Sequence, residues 1–451
     1  MPVQFIPIDR DTPSFFPPTI QEYLPDDHLA RFIVEIVDQL DLSVITEKYK
    51  GRGKRPFHPA LLVSLLFYGY STGTFSSRKL EKSTYDSIAY RFICANTHPD
   101  HDTISNFRKK NLDYLKGFFH QILLIAQEMG LLKLGTVSLD GTKIKANASK
   151  HKALSWQYAE QLEAQLEGEI EELLQMAEAA DNQALPEEMD VPAELHRREK
   201  RLERIVQAKS EIASRAKLRT EREQAEYQQK IERRNAYEKE TGKKARGKTP
   251  QQPEAGPRPK DQVSLTDEDS RIMSSKDGFQ QAYNAQASVD IESHLITEQH
   301  ISQHSNDKQE IEATLAGFEE LPEALGRPES LLADTGYHSK ANVDRCEKSD
   351  ITPYMAEARQ KHNIPLQERF AKDPAPPDNP TPVEAMRHRM KTKEGKRLYG
   401  KRKSTVETVF GIIKQVLGFR QFHLRGRQAV EAEWSLVCIG WNLKRMHALK
   451  G

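Results

Sequence analysis

Three carboxylates stand where acidic residues are unusual. Asp140 lies in GTVSLDGTKIKAN (residues 135–147), where Val137 and Leu139 alternate with polar residues as in a strand, and aspartate is disfavoured inside strands. Asp334 follows the apolar run Ser330-Leu331-Leu332-Ala333, which reads as a buried central strand. The active site of an open α/β sheet lies outside the carboxyl ends of its strands, where Asp334 would stand. Glu407 is in RKSTVETVFGIIKQVLGF, where Val406, Val409, Phe410, Ile413 and Leu417 recur at helical spacing. Lys403, Glu407 and Lys414 form a second stripe bordering that apolar face, at the rim of the core. Carboxylates brought together from two strands and a helix would repel and raise one another's pKa. Hard cations such as Mg²⁺ or Mn²⁺ relieve the conflict, because they take carboxylate oxygens and retain waters. Two such ions about 3.5–4 Å apart clamp the attacking and leaving oxygens of an in-line phosphoryl displacement. Each residue alone also has an ordinary reading. Asp334 suits a turn before glycine, and Glu407 suits an i,i+4 ion pair with Lys403.

The block before Glu407, MRHRMKTKEGKRLYGKRK (386–403), holds nine Lys or Arg and one Glu. Such a run is either a solvated face or a grip on a phosphate backbone, with Tyr399 able to stack on a base or touch a phosphate. His98-Pro99-Asp100-His101-Asp102 resembles a metal cluster, but no further ligand follows at useful spacing, so a polar loop is the better reading. His300 and His304 are four apart where a strand ends. No Walker loop, GxSxG or HExxH is present.

The elements that must carry these residues follow from periodicity. Residues 1–130 read as helices: Phe32, Ile33, Ile36, Val37 and Leu40 after caps at Pro25-Asp26-Asp27, then Leu61, Leu62, Leu65 and Leu66 after Pro59. Further helix starts fall at Ser76–Glu81 and at Asp102–Arg108. This is either a DNA-binding module or a plain helical bundle. A first core strand occupies part of 131–150, with a bulge expected at Gly141-Thr142. Residues 151–262 interrupt the core. Their first arm, 160–178, has seven Glu and no Lys or Arg, with Leu162, Leu166, Ile170 and Leu173 on one stripe. The second, 197–219, has nine Lys or Arg against three Glu, and Leu195, Leu202, Ile205 and Ile212 recur at heptad-like spacing. The pair reads as an antiparallel helical hairpin followed by a flexible linker over 240–262. From 263 to 451 the core resumes. Strands are expected at Tyr283–Val289, Leu295–Ile301, Ser330–Ala333 and Ile351–Met355, and helices at 403–419 and 434–449. A capping box at Asp307/Glu310 opens a helix, and 366–385 is irregular. The fold class is a mixed α/β sheet flanked by helices.

Bulk properties exclude several classes. The 451 residues imply two or three domains. Lys and Arg number 67 against 66 Asp and Glu, so net charge advertises no polyanion partner, and charge patterning carries the information instead. Cys94, Cys346 and Cys438 are far apart without CxxC spacing, which argues against disulfides or zinc and fits a reducing cytosol. The N-terminus lacks a signal-peptide pattern, and the longest apolar run, near Ala60–Tyr70, is too short to span a bilayer.

With these stretches in hand, the chain resembles the DDE transposases of bacterial insertion sequences, which have an RNase H-like core. SLDGTKIKANAS looks like the family's first-Asp strand. YNAQASVD with LLADTGYHS looks like its second-Asp region, and YGKRKSTVETVFGIIKQ like its Tyr–Arg–Glu–Lys signature. HPALLVSLLFYGYSTGTFSSRKLE with HPDHDTISNFRKK looks like the N-terminal domain. The resemblance implies that Asp140, Asp334 and Glu407 are catalytic and bind two Mg²⁺ ions, with Mn²⁺ able to substitute. Asp140 would bridge both ions, and Asp334 and Glu407 would each hold one. Tyr399, Arg402, Lys403 and Lys414 would contact DNA. The step from Arg402 to Glu407 is one residue longer than the family pattern, which leaves the signature's Arg role to Arg402 or Lys403. The implied activity is hydrolysis at the element end by a metal-activated water, then attack of the freed 3′-OH on target DNA. The implied partners are the terminal inverted repeats, target DNA and a second copy of the chain, in the cytoplasm at the nucleoid. The alternatives are an RNase H-like nuclease without strand transfer, a non-catalytic DNA-binding remnant, and a coiled-coil scaffold, which would explain nothing after residue 275.

Overall fold

A computed structural model describes residues 19–49, 55–149, 152–180, 190–275, 278–358 and 372–451. The chain divides into two units. The first comprises 1–142, 284–424 and 428–451, and the second 143–283 with 425–427.

The first unit opens with helices α1 (Leu29–Val37), α2 (Ser43–Thr46), α3 (Pro59–Ser71), α4 (Ser77–Asp86), α5 (Ile88–Ile93), α6 (His101–Lys110) and α7 (Leu115–Glu128). The apolar spacing places these helices well, but the caps differ. His28 caps α1 through its ring nitrogen, in place of Asp26 or Asp27, and Asp100 caps α6 by accepting from Thr103 N. Helix α3 is apolar around its whole circumference and buried over most of its length, so it forms the centre of this group. Of the stretch expected to be a polar loop, His98–Asp100 precede the helix, with Asp100 as its cap, while His101 and Asp102 form the first turn of α6. His98 stacks on Tyr85, and His101 pairs with Glu81.

Strand β1 (Thr136–Lys145) follows and runs unbroken through Gly141, so the bulge expected there does not form. The second unit begins within it. Strands β2 (Ala153–Ser155) and β3 (Gln262–Ser264) pair antiparallel. Helices α8 (Trp156–Ala180) and α9 (Val191–Thr241) lie between them in sequence. Leu162 and Leu166 of α8 share one buried cluster with Ile205, Ala208 and Ile212 of α9 and with Leu154 and Val263. Glu169 pairs with Arg198 and Glu163 with Lys209, so the helices run antiparallel with the acidic arm against the basic one. Residues 242–261 carry no helix or strand, yet they are held along the far half of α9 and are not the free linker their composition suggests. Arg219 bonds Asp261 and the Gly256 carbonyl, Arg258 pairs with Glu223, and Arg234 donates to the carbonyls of Ala245, Gly247 and Lys248. Strand β4 (Arg271–Ser275) then pairs antiparallel with the start of β5 (Gly278–Asp290). The alternation read from the sequence began only at Tyr283 and missed β2, β3 and β4.

Back in the first unit come β6 (Ile296–Ser302), α10 (Glu310–Glu319), β7 (Ser330–Ala333), α11 (Lys340–Lys348), β8 (Thr352–Met355), α12 (Pro382–Arg389), α13 (Lys393–Gly411) and α14 (Arg427–Lys450). The sheet order is β6-β5-β1-β7-β8, with β7 parallel to β1, β8 parallel to β7 and β6 antiparallel to β5. The fold is therefore a mixed α/β sheet with many helices. Of the irregular segment expected at 366–385, residues 366–371 lie outside the described residues. Residues 372–381 have no helix or strand, and α12 opens at Pro382 behind a Thr381/Glu384 capping box. Helix α13 begins ten residues before the expected 403 and ends in a π turn at Ile412–Val416.

Helix α14 ties the unit together. Asn442 brackets Ile296, accepting from its N–H and donating to its carbonyl, each at 2.8 Å, and Trp434 donates to the Gln286 carbonyl. Gly440 allows α14 to touch α3, because a Cβ there would lie 2.8 Å from the Tyr70 carbonyl carbon. Glu433 is completely buried and accepts from the backbone N–H groups of His423 and Leu424 at 2.9 Å and from the Tyr70 hydroxyl at 3.2 Å. Arg108 of α6 donates to that same hydroxyl.

His300 and His304, set aside in the sequence, belong to a buried ion cluster. His300 meets Glu298 at 2.8 Å and Glu310 at 3.2 Å, while Ser302 and His304 also bond Glu310. Burial lowers the His300 pKa, but the two glutamates outweigh it and raise it to about 9. Burial raises that of Glu310, but hydrogen bonds from His300, His304 and Ser302 bring it down to about 2. A raised histidine stabilises the fold below its unfolded value near 6.5 and loses that contribution as pH climbs toward 9. A lowered glutamate stabilises above its unfolded value near 4.5 and loses it as pH falls toward 2. The cluster's contribution is therefore flat between pH 4.5 and 6.5 and declines on both sides. Replacing His300 by Gln should remove an alkaline decline of about 3 kcal/mol between pH 6.5 and 9. Urea unfolding at stepped pH checks this, and parallel pH profiles for parent and variant would refute it.

Candidate active site

The three carboxylates found in the sequence come from the three elements expected. Asp140 is in the middle of β1. Asp334 immediately follows β7, which lies beside β1 with Ser138 opposite Leu332. Glu407 is on α13. In β7 Leu331, Leu332 and Ala333 are all buried; the chain turns at Asp334, whose Oδ1 accepts from Gly336 N at 2.7 Å. The turn-capping reading is thus true of Asp334, and it coexists with a place beside Asp140.

Arg402 binds two of these groups together. Its guanidinium donates to Glu407 Oε1 at 2.8 Å and to Asp140 Oδ2 at 3.4 Å. Glu407 therefore pairs with the residue five before it, not with Lys403. Lys403 is exposed, and its side chain has no hydrogen-bond or ion-pair partner among the described residues. Arg402 is buried, and Tyr399 lies against it. Burial opposes the Arg402 charge, but Asp140, Tyr399 and Glu407 outweigh it and raise its pKa. Burial lifts Asp140 to about 7, with Arg402 opposing the rise and the charges of Asp334 and Asp307 adding to it. Lys414 is half-buried in the π turn and has contacts of its own.

Sequence reasoning missed Asp307. The expected capping box does not form. Helix α10 starts at Glu310 with no side-chain cap, and Asn306 caps the short 3₁₀ turn that carries Asp307. Asp307 instead accepts from Asn284 Nδ2 at 2.7 Å and Gln286 Nε2 at 2.9 Å. Gln286 in turn accepts from the Tyr337 hydroxyl. Asn284 and Gln286 sit two apart on one face of β5, a spacing the alternation already displayed. This polar group explains Gly141. A Cβ there would lie 2.2 Å from Gln286 Nε2 and 2.7 Å from Asp307 Oδ1.

Much of the basic block is internally neutralised. Arg387 pairs with Glu357, Arg389 with Glu347, Arg397 with Glu394, and Lys401 with Glu292. The side chains of Lys391, Lys393, Lys396 and Lys403 are exposed and make no ion pair among the described residues. These are the groups able to meet phosphates. Replacing Lys391, Lys396 and Lys403 with Ala should flatten the slope of log affinity for duplex DNA against log salt by about two to three units. Lys401→Ala alone should change the slope little, because Glu292 already occupies that ammonium. An unchanged slope in the triple variant would make the block a solvated face.

Among the described residues, no group of three or more His, Cys, Asp or Glu side chains is set to hold a metal ion, and Arg402 bridges Asp140 and Glu407. Among the described residues no helix is long and apolar enough to cross a membrane.

Comparison with protein families agrees with this arrangement. Residues 18–110 match a transposase domain (DUF772), and residues 248–443 match a transposase DDE domain. The chain belongs to the DDE transposases. Searches of curated proteins and of solved structures each found no match.

Proposed function

We propose that the protein binds the ends of an insertion sequence, cleaves DNA there and joins the freed 3′-OH ends to target DNA. The observation that carries this is the meeting of Asp140, Glu407 and Arg402, from a central strand and a helix, beside Asp334 at the end of the adjacent parallel strand. The order β6-β5-β1-β7-β8, with β6 antiparallel to β5 and with β7 and β8 running parallel beside β1, supports an RNase H-like core. On this reading residues 1–130 serve as the DNA-binding region, and the α8–α9 hairpin is an insertion after the first core strand.

The donor set fits a hard divalent cation. Asp140 and Glu407 share one Arg402, and Asp334 stands at the end of the strand beside Asp140, so three carboxylates meet a single cation of the protein's own. Asp140, Asp334 and Glu407 would hold Mg²⁺ or Mn²⁺. When bound, the cations supply Lewis acidity and charge neutralisation for displacement at phosphorus. Arg402 keeps the Asp140 and Glu407 carboxylates apart and oriented. Tyr399, Lys403 and Lys414 hold the phosphate backbone beside them. In the first step water attacks a phosphodiester at the element end and the 3′ oxygen leaves as a hydroxyl. In the second that hydroxyl attacks a target phosphodiester, so no covalent protein–DNA bond is needed. A second copy of the chain would bind the other end.

Incubating the protein with labelled element-end DNA in Mg²⁺ or in chelator, and mapping cuts and joints, tests the proposal. Cuts without joined products would reduce it to a nuclease, and binding without cuts would reduce it to a DNA-binding remnant.

A further inference from the structure

Many cations of the α8–α9 hairpin are matched by anions. Arg198 pairs with Glu169 and Glu194, Lys209 with Glu163, Arg215 with Glu211, Arg219 with Asp261, and Lys230 with Glu226. The loop that follows α9 departs from this pattern. Lys243, Lys244, Arg246 and Lys248 fall within six residues, and no acidic residue lies between Glu240 and Glu254. All four are exposed, and their side chains make no ion pair among the described residues. Composition alone would make this a solvated run, but its main chain is fixed. Gly242 ends α9 in the left-handed conformation, at φ 65°, and its N–H donates to the Glu238 carbonyl at 3.0 Å. Glu238 Oε1 accepts from Ala245 N at 2.9 Å. Arg234, with 20% of its side chain exposed, donates to the carbonyls of Ala245, Gly247 and Lys248 at 2.9, 3.2 and 3.1 Å. Two side chains from the last turns of α9 therefore hold the loop's main chain, and the four cations stay in solvent. The hairpin commits one guanidinium to shaping the place where it presents four other charges.

We infer that this loop is a phosphate-binding tip, a DNA contact on the second unit that takes the backbone of a duplex without reading its sequence. At about 1.5 Å per helical residue, the tip lies roughly 45 Å along α9 from Ile212, the last residue of that helix in the buried cluster. The contact is thus carried by a unit that holds none of Asp140, Asp334 and Glu407. Ammonium and guanidinium groups suit phosphate oxygens, and contacts to phosphates position a protein without specifying bases. A loop already ordered gives up little conformational freedom on binding, whereas a free linker of the same composition would have to be ordered first. Residues 242–249 include no aromatic side chain to stack on an unpaired base, so a duplex fits the tip better than a single strand. Because the chain belongs to the DDE transposases, DNA is the polyanion it meets. The inference rests on the DNA-binding reading above and adds a surface separate from the basic block before Glu407.

The test is fluorescence anisotropy of the full-length protein on labelled duplex DNA in chelator, across a salt series, with thermal melting of every variant as a control. Changing Lys243, Lys244, Arg246 and Lys248 together to Ala should flatten the slope of log affinity against log salt by about two to three units. The loss should be equal on element-end and on random-sequence duplexes, because phosphates carry no sequence. Lys243→Arg, Lys244→Arg, Arg246→Lys and Lys248→Arg, made together, keep the charge and should keep the parent slope. Arg234→Ala keeps all four cations and releases the main chain, so affinity should fall several-fold while the slope stays within about one unit of the parent. An unchanged slope in the alanine variant would overturn the inference, and so would a loss confined to element-end DNA or to duplex RNA. Parent-like affinity in Arg234→Ala would overturn the part assigned to the loop's fixed shape. If the parent itself fails to bind duplex DNA, the proposed function falls too. If the parent binds and cuts while the alanine variant keeps its slope, only the tip fails.

Discussion

Asp334→Asn should abolish strand cleavage in Mg²⁺, by on the order of 10³-fold or more, while leaving DNA binding in chelator intact. Asparagine keeps the shape of aspartate and keeps an oxygen for Gly336 N, which Asp334 Oδ1 now receives at 2.7 Å, so the turn after β7 should survive. What it removes is one negative charge beside Asp140, part of the charge that a divalent cation would neutralise. DNA affinity without metal should persist or rise slightly, because an anion facing the phosphates is gone. Asp140→Asn and Glu407→Gln should behave alike, with one difference. Each also loosens Arg402, which pairs with both carboxylates, so these two variants should disturb the metal-free protein more than Asp334→Asn does. Gel shift in chelator beside cleavage in Mg²⁺, on one protein batch, decides the matter. Near-normal cleavage by Asp334→Asn would remove it from the triad and undo the mechanism.

The largest effect on stability is expected far from that site, at Glu433. Its carboxylate is 0% exposed and receives two backbone N–H groups, the Tyr70 hydroxyl and His423 Nδ1. Glu433→Ala should cost about 3–5 kcal/mol, because several buried donors lose their acceptor at once and a cavity is left in the core. Glu433→Gln keeps one acceptor oxygen and should cost less. Tyr70→Phe should fall below both, because it breaks only the hydroxyl relay. Urea unfolding of the three variants orders them, and a loss under about 1 kcal/mol for Glu433→Ala would mean that water replaces the carboxylate.

What could be read from the sequence divides along a physical line. Features set by neighbours in the chain were legible. The alternation from Tyr283 marks β5, the run Ser330–Ala333 is β7, and the 3.6-residue stripe around Glu407 is α13. The partners of polar side chains were not, because topology assigns them. Asp307 and Glu310 have the spacing of a capping box, but β5 and β6 present Asn284, Gln286 and His300 to them, and these capture both carboxylates. Arg402 and Lys403 are adjacent and alike in charge. Only the rotation of α13 turns the first toward Asp140 and leaves the second in solvent. The strands β2 and β3, three residues each, are too short to show a period; what marks them is tertiary, because Leu154 and Val263 complete the buried cluster of α8 and α9.

The pairing of β1 with β7 has a consequence for how the protein is made. Thr136 finds its parallel partner Ser330 only after roughly 190 further residues have been added. At translation rates of about 5–20 residues per second, β1 waits roughly 10–40 s on the ribosome before that neighbour exists, and α13 comes later still. The intervening chain has a cluster of its own to bury meanwhile. Until α13 emerges, the nascent protein holds Asp140 without Glu407 or Arg402. A chain truncated before α13, whether by a premature stop or by ribosome stalling, would therefore lack the cutting centre even where its N-terminal helices are complete.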